Sequence, residues 1–156
     1  MAALLLTSAF AGPAAAGKLV PFKGTIEGTE DFTFQDPDEN NGIGLLINGS
    51  GGGNATHLGK FTATWDGEIT FGAALQPNVR HFVAANGDEL WSMGLGAGTD
   101  PPNQFVTEEQ VIIGGTGRFE DATGSFTVER TVFNVAPPFT DLVTTGTFDG
   151  TIILAH

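Results

Sequence analysis

Three ionisable side chains in strand-like parts of the sequence are candidates for acid–base chemistry or for binding a polar ligand group. Glu27 lies in a threonine-rich segment, His57 follows Asn-Ala-Thr, and Arg130 lies among apolar residues. Imidazole gains and loses a proton near neutral pH, so a histidine facing a cavity would suit a general base. His57 fits this role best if it faces the interior beside Asn86 or Asp88. A lone histidine is more often exposed or structurally satisfied, and that alternative stays open.

Arg130 has two interpretations, because an arginine in the middle of an apolar strand needs a partner. If it faces the inside of the protein, a carboxylate must pair with it, and the strand-borne candidates are Glu27, Glu89 and Glu109. It would then anchor an anionic group of a ligand. The alternative is a cross-strand pair on the surface, which the sequence favours.

One acidic turn resembles the start of a calcium-binding loop. Asp36, Asp38 and Asn40 stand at alternate positions, as calcium ligands do. Position six of the loop is Asn41 where glycine is required, and position twelve is Ile47 where a bidentate glutamate belongs. The sequence therefore predicts a solvated turn here. We expect neither a metal nor another cofactor.

The overall composition excludes several classes of function. The 156 residues include six Lys and Arg against 18 Asp and Glu, which gives a net charge of −12. Nucleic acids and anionic membranes bind clustered cations, so we expect neither as a partner, and we expect no membrane insertion. The chain has no cysteine, which removes disulfides and thiolate chemistry.

The first 16 residues differ from the rest of the chain. They carry no charge and end in small residues, which is typical of a signal peptide cleaved after Ala16. The segment is too short to span a bilayer. We therefore predict a leader at 1–16, a single domain at 17–156, and a secreted or periplasmic location.

A glycine-rich stretch between two apolar runs, residues 112–127, gives the clearest structural signal. It contains Gly114, Gly115, Gly117, Phe119 and Gly124. Closely spaced glycines permit positive φ and close backbone approach, so the chain should reverse tightly and bring Phe119 back onto the protein. The following residues alternate with a period of two, which predicts a strand and argues against a dinucleotide-binding turn.

This stretch, Gly-Gly-Thr-Gly-Arg-Phe at 114–119, resembles a corner of the allene oxide cyclase and dirigent proteins. The resemblance implies an eight-stranded antiparallel β-barrel, often trimeric, with an apolar lumen. It does not carry the cyclase active site across, because Glu27 alone matches that family's first strand. The expected asparagine and proline are missing there, and the chain has neither cysteine nor tyrosine.

Alternation along the rest of the chain predicts an all-β, up-and-down, calycin-like barrel of eight antiparallel strands. The predicted strands are Phe22–Phe34, Ile43–Gly49, His57–Trp65, a bent strand combining Glu68–Ala74 with Val79–Ala85, Asp88–Gly96, Gln104–Ile113, Ser125–Phe133 and Leu142–Leu154. Two-residue hairpin turns are predicted at Asp66-Gly67 and Asn86-Gly87, and a mobile tip at Gly51–Asn54.

The last two strands supply candidate ligand-binding residues. Phe126 and Val128 share one face with Arg130, and Phe148 shares a face with Gly146. If these faces line the lumen, the glycine would leave room for a ligand. A barrel core filled by side chains is the alternative.

We therefore predict an exported barrel that binds a small apolar or amphipathic molecule in its lumen, with a cofactor-independent cyclase-like, isomerase-like or dirigent-like activity. The alternative is a non-catalytic extracellular structural or self-assembling protein. A homo-oligomer is expected in either case, with a trimer favoured. A conventional hydrolase or metalloenzyme ranks last, because no nucleophile–base or ligand cluster has a recognisable spacing.

Overall fold

The chain forms a closed β-barrel. A computed structural model describes residues 17–35, 44–70 and 76–155. Eight antiparallel strands follow one another around the barrel in chain order, and the last pairs with the first. They are β1 (Lys18–Gln35), β2 (Gly44–Ala55), β3 (Gly59–Thr70), β4 (Asn78–Ala84), β5 (Glu89–Gly98), β6 (Gln104–Gly115), β7 (Thr123–Val132) and β8 (Leu142–Leu154). The predicted all-β, up-and-down barrel is confirmed.

The two ends of the barrel have different interiors. We call the end where β1, β3, β5 and β7 finish the open end, and the other end the closed end. Five phenylalanines fill the half near the closed end: Phe22, Phe61, Phe82, Phe126 and Phe148. The ring centroids of Phe22 and Phe126 lie 5.1 Å apart at an interplanar angle of 70°. These rings pack edge to face and form a continuous buried cluster in that half.

The glycine-rich corner joins β6 to β7 through a one-turn 3-10 helix, Gly117–Phe119. Phe119 is fully buried, so the chain does return it to the core. Positive φ occurs at Gly114 (132°), Gly117 (57°) and Gly124 (144°). Gly115 is required for a different reason, the close approach of a neighbouring strand: a Cβ there would lie 2.3 Å from the carbonyl oxygen of Glu89.

Two predicted turns were wrong. Gly51–Asn54 is part of β2, paired on both sides, and is no mobile tip. Its glycines let β1 approach, because a Cβ at Gly51 would lie 2.0 Å from the carbonyl oxygen of Glu27. Asp66-Gly67 lies inside β3, which runs on to Thr70, so there is no hairpin turn at this point.

The remaining boundaries differ in detail. The predicted bent strand does not exist, because residues 68–70 belong to β3 while β4 begins at Asn78. Asn86-Gly87 does lie in the β4–β5 turn, but the loop is longer than predicted. Gly87 has a φ of 88° and its N–H donates to Ala84 at 2.9 Å. The predicted leader and the acidic turn with Asp36, Asp38 and Asn40 lie outside the described residues.

Candidate functional site

A cavity of about 460 Å³ occupies the open end of the barrel. Its walls are mainly apolar and come from strands β1, β2 and β6 and from the segment after β7. The main apolar wall residues are Phe32, Leu45, Ile47, Val106, Val135 and Phe139. The cavity stops halfway along the barrel at a layer of buried polar side chains, and the phenylalanine-filled half lies beyond that layer.

Glu30 and Trp65 form one side of this polar floor. The indole Nε1 of Trp65 donates to Glu30 Oε2 at 2.7 Å. Gly49 lies between the two residues in the strand register, and a Cβ there would be 2.1 Å from the indole ring. The missing side chain at Gly49 therefore lets the indole reach across β2 to the carboxylate.

Arg130 joins Glu30 to the second carboxylate of the floor, Glu108. Its Nη1 donates to Glu30 Oε2 at 2.7 Å and to Thr144 Oγ1 at 3.2 Å, and its Nε donates to Glu108 Oε2 at 3.0 Å. The same Glu108 oxygen accepts a hydrogen bond from Arg80 Nη2. Arg130 therefore connects both carboxylates in one network.

The network continues away from the arginines through uncharged side chains. Asn78 Nδ2 donates to Glu108 Oε1 at 2.8 Å, so both oxygens of this carboxylate are occupied. Gln110 donates to Asn78, and the hydroxyl of Ser92 donates to Gln110 at 2.8 Å. These contacts fix the Glu108 carboxylate in one orientation.

The four ionised groups of the floor balance in charge. Burial favours the neutral form of Glu108, but attraction by Arg80 and Arg130 outweighs it and lowers the pKa of this carboxyl. Burial lowers the pKa of Arg80, although a guanidinium remains charged at neutral pH. For Arg130, attraction by Glu108 and Glu30 exceeds the effect of burial and raises its pKa. We therefore infer two fixed ion pairs beneath the cavity.

One carboxylate oxygen of the floor is buried without a hydrogen-bond partner. Glu30 lines the cavity and is 1% exposed, yet its Oε1 has no hydrogen-bond partner within the described residues. An unpaired buried acceptor costs about 1–3 kcal/mol, and more when it is charged. Arg80 also has unpaired donors, Nε and Nη1, but it does not line the cavity. This oxygen has almost no accessible surface, so a ligand donor would reach it only after a small displacement of the side chains that cover it.

Acidic residues border the cavity, but two of them point away from it. Asp66 and Glu68 alternate along β3 with the inward-facing Trp65 and Ile69, so their side chains face the outer wall, and Asp100 is exposed to solvent at the rim. Among the lining residues that the structure describes, the only cationic side chain is that of Arg130, on the floor. In the part of the chain that the structure describes, no group of three or more acidic or histidine side chains is placed to hold a metal ion.

The structure separates the predicted polar candidates. Glu27 is exposed on the outer wall, so its assignment to the lumen was wrong: it neighbours the inward-facing Ile26, and successive strand residues face opposite sides. His57 lies in the turn between β2 and β3, at the closed end, with a φ of 64°. Arg130 is buried on the floor rather than paired on the surface.

The expected partners of Arg130 were also wrong. Glu109 is exposed and accepts a hydrogen bond from Thr127 at 3.0 Å, and Glu89 lies 2.8 Å from the imidazole of His81. The actual partners, Glu30 and Glu108, share the inward phase of their strands with buried apolar residues.

The predicted ligand-binding residues face the interior but lie outside the cavity. Phe126, Val128 and Phe148 belong to the packed core of the closed half. Gly146 pairs with Arg130, and a Cβ at Gly146 would lie 2.5 Å from Arg130 Cβ. The space beside this glycine is filled by the neighbouring strand, so the expectation that it leaves room for a ligand was wrong.

The sequence contains a signal for the floor residues that were missed. Glu30 continues the even-numbered inward series of Phe22 and Ile26, while Arg80 precedes buried Phe82 by two residues. A polar residue in phase with buried apolar residues predicts an internal polar group. Trp65 shares the phase of Phe61 in the same way.

Comparisons with known proteins identify the fold. No family model and no curated protein matches the chain. The solved structure of a pterocarpan synthase dirigent protein is similar, with a TM-score of 0.52 and 13% sequence identity, and the match covers 92% of this chain and 88% of that one. The fold is therefore a dirigent-like β-barrel. Within the described residues, no helix is long and apolar enough to cross a membrane.

Proposed function

We propose that the protein binds a small, mostly apolar molecule in the open-end cavity and orients it by a hydrogen bond to Glu30. The observation that carries this proposal is the unpaired Oε1 of a buried carboxylate on the floor of an apolar cavity. The proposal moves the predicted ligand site from Phe126 and Phe148 to the other half of the same lumen.

The size and the lining of the cavity support this function. A volume of about 460 Å³ falls in the range of small-molecule sites. Apolar walls contribute affinity roughly in proportion to the apolar area buried, at about 25 cal/mol per Å². The floor contributes orientation, because Trp65 and Arg130 hold the other oxygen of Glu30 in place.

The arrangement also supports chemistry without a cofactor. The fixed Glu30 carboxylate would accept a hydrogen bond or a proton from the ligand, while the walls restrict the conformations that the ligand adopts. A pterocarpan synthase dirigent protein has a barrel of the same fold. We extend the proposal to a dirigent-like or isomerase-like activity in which Glu30 positions the reacting molecule. Export from the cell remains part of this proposal.

A second candidate, a self-assembling protein, is favoured by one surface feature. Met93, Leu95 and Val111 lie on the outer wall of β5 and β6 and are 40%, 46% and 56% exposed. Met93 and Val111 pair directly across the two strands. We propose that this wall supports a homo-oligomer, with a trimer favoured.

The binding proposal is tested with N-phenyl-1-naphthylamine, a neutral fluorescent probe with one N–H donor. Glu30→Gln keeps the shape of the side chain but allows an amide N–H₂ to replace the free acceptor. We expect a loss of affinity of about 10- to 100-fold, since hydrogen bonds to charged groups contribute about 1.5–3 kcal/mol. The matched control is Glu27→Gln, which removes the same charge from the outer wall of the same strand.

A second pair of variants tests whether the probe binds in the open-end cavity, and it leaves the buried ion pairs unchanged. A side chain at Gly98 would contact Val106, since a Cβ there lies 3.5 Å from Val106 Cγ2, and both residues line the cavity. Gly98→Leu should therefore reduce probe binding, whereas Thr107→Leu on the exposed face of β6 should not. Wild-type protein that binds no probe, or binding that survives both Glu30→Gln and Gly98→Leu, would refute the proposed function.

A further inference from the structure

The loop between β7 and β8, residues 133–141, folds inward at the mouth of the open-end cavity. Two of its residues, Val135 and Phe139, line the cavity, and Val135 is 7% exposed. We propose that the ring of Phe139 closes the outer end of the cavity and so limits the length of the molecule that binds there. This inference rests on the proposed function, because it concerns the same cavity.

The contacts of Phe139 place its ring at the rim. The ring centroid lies 5.2 Å from that of Phe34, at an interplanar angle of 67°. Phe34 is the second-last residue of β1 and is 51% exposed, whereas Phe139 is half-buried and packs against the apolar cluster of the cavity wall. This edge-to-face pair therefore forms a boundary between the cavity and the solvent.

The backbone of Phe139 shows that its position is not set by local preference. Its φ of 63° lies in the left-handed region, which a bulky side chain disfavours because Cβ approaches the following carbonyl oxygen. Such a conformation persists only where the surrounding contacts impose it, and these outliers concentrate at ligand sites. Backbone strain at a residue that lines the cavity carries this inference, and it does not depend on Glu30.

Hydrogen bonds on both sides hold the loop in this position. The carbonyl oxygen of Phe139 accepts from the N–H of Phe32 in β1 at 2.8 Å, and the N–H of Phe139 donates to the carbonyl oxygen of Ala136 at 2.9 Å. Toward β7, the N–H of Val135 donates to the carbonyl oxygen of Pro102 at 2.7 Å. A ring on a backbone that is fixed at both ends yields little to a longer ligand, so the length limit should be sharp.

The distance from the floor to the rim gives the length scale. Glu30 and Phe34 are separated along β1 by about 13 Å, since each strand residue advances ~3.3 Å. Barrel strands tilt by roughly 35–45°, so the depth along the barrel axis is about 10 Å. The class of molecule that fits is therefore apolar and about 10 Å long, such as two linked rings or an alkyl chain of medium length. A longer molecule would have to displace Phe139.

The test uses the straight-chain primary alcohols from hexanol to dodecanol, each competing with N-phenyl-1-naphthylamine. Burying one more methylene should raise the affinity about fourfold, until the chain reaches the ring of Phe139. In the wild type, we therefore expect the affinity to stop rising at a cut-off within the series. In Phe139→Ala it should continue to rise, and the affinity of dodecanol relative to hexanol should exceed the wild-type ratio by about tenfold or more.

Two further variants separate the effect of this ring from folding and from the loss of any phenylalanine. Phe139→Gly removes the same ring and suits a φ of 63°, so it reports on the ring even if the alanine variant does not fold. Phe133→Ala is the matched control, because Phe133 lies in the same loop, is 37% exposed and does not line the cavity. It should leave the wild-type cut-off unchanged.

The outcomes distinguish this inference from the proposed function. The length limit by Phe139 is overturned, while the cavity proposal stands, if the wild type binds the alcohols without a cut-off. The same holds if Phe139→Ala and Phe139→Gly keep the wild-type cut-off, or if Phe133→Ala moves it as far as they do. If neither the probe nor any alcohol binds, the proposed function fails and this inference fails with it.

Discussion

The two buried arginines of the floor should contribute very differently to stability, although both are almost fully buried. Arg130 donates hydrogen bonds to Glu30, Glu108 and Thr144. Arg80 donates to Glu108 alone, and its Nε and Nη1 have no hydrogen-bond partner within the described ranges, although the guanidinium carbon lies 5.3 Å from the centroid of the Trp65 ring. The perturbation is to replace each in turn by methionine, a flexible apolar side chain of similar length.

Arg130→Met should be the more costly change. It leaves the buried Glu30 carboxylate with no guanidinium partner, because Arg80 pairs with Glu108 alone, and breaking a buried ion pair in this way costs about 3–5 kcal/mol. Arg80→Met leaves Glu108 hydrogen-bonded to Arg130 and Asn78. It also removes two unpaired donors, each of which costs about 1–3 kcal/mol in the wild type. The lost attraction to Glu108 is thereby largely offset, and we expect a net loss of at most about 2 kcal/mol.

Urea unfolding followed by far-UV circular dichroism measures both effects. The free energy of unfolding is extrapolated to water, and an unchanged m-value shows that the same surface is exposed in each variant. A loss for Arg80→Met equal to or greater than that for Arg130→Met would refute the reasoning, because the unpaired donors of Arg80 would then carry no cost.

Three more predictions follow from particular contacts. Arg80 and Arg130 lower the pKa of Glu108 against the effect of burial, so this carboxylate stabilises the fold fully above the ordinary pKa of 4.5 and loses that contribution as pH falls through the folded pKa. Glu108→Gln should therefore reduce the dependence of the unfolding free energy on pH in acid. An unchanged acid slope in urea unfolding would contradict this prediction. Gly115→Val should lower stability by roughly 1–3 kcal/mol, since its Cβ would lie 2.3 Å from a neighbouring carbonyl oxygen, and an unchanged melting temperature would count against the corner geometry. Light scattering should show a trimer that Val111→Lys dissociates, and a wild-type monomer at micromolar concentration would remove the oligomer proposal.

The fold could be predicted from the sequence because its signals are local. Period-two alternation and the glycine corner at Gly114–Phe119 both depend on residues close together in the chain, and each predicts strands and a tight reversal. The strand boundaries near Gly51–Asn54 and Asp66-Gly67 could not be predicted, because glycine, asparagine and aspartate are the residue types that turns favour. Their use inside strands depends on which strand lies beside them, as the approach of β1 to Gly51 shows.

The candidate site was harder to predict for two physical reasons. The inward phase of Glu30 and Arg80 can be read along each strand, but their pairing depends on positions far apart: Glu30 and Arg130 are 100 residues apart in sequence. The identity of the filled half also depends on three-dimensional packing. Phenylalanines at Phe126 and Phe148 suit a ligand-binding wall and a packed core equally well by residue type.

A crystal structure of the protein soaked with tryptophol tests the central claim most directly. We predict that the indole lies in the open-end cavity, with its ring nitrogen about 3 Å from Glu30 Oε1, as a hydrogen bond requires. A soaked crystal in which the indole lies elsewhere, or in which protein side chains fill the cavity and Glu30 Oε1 pairs with one of them, would contradict the account.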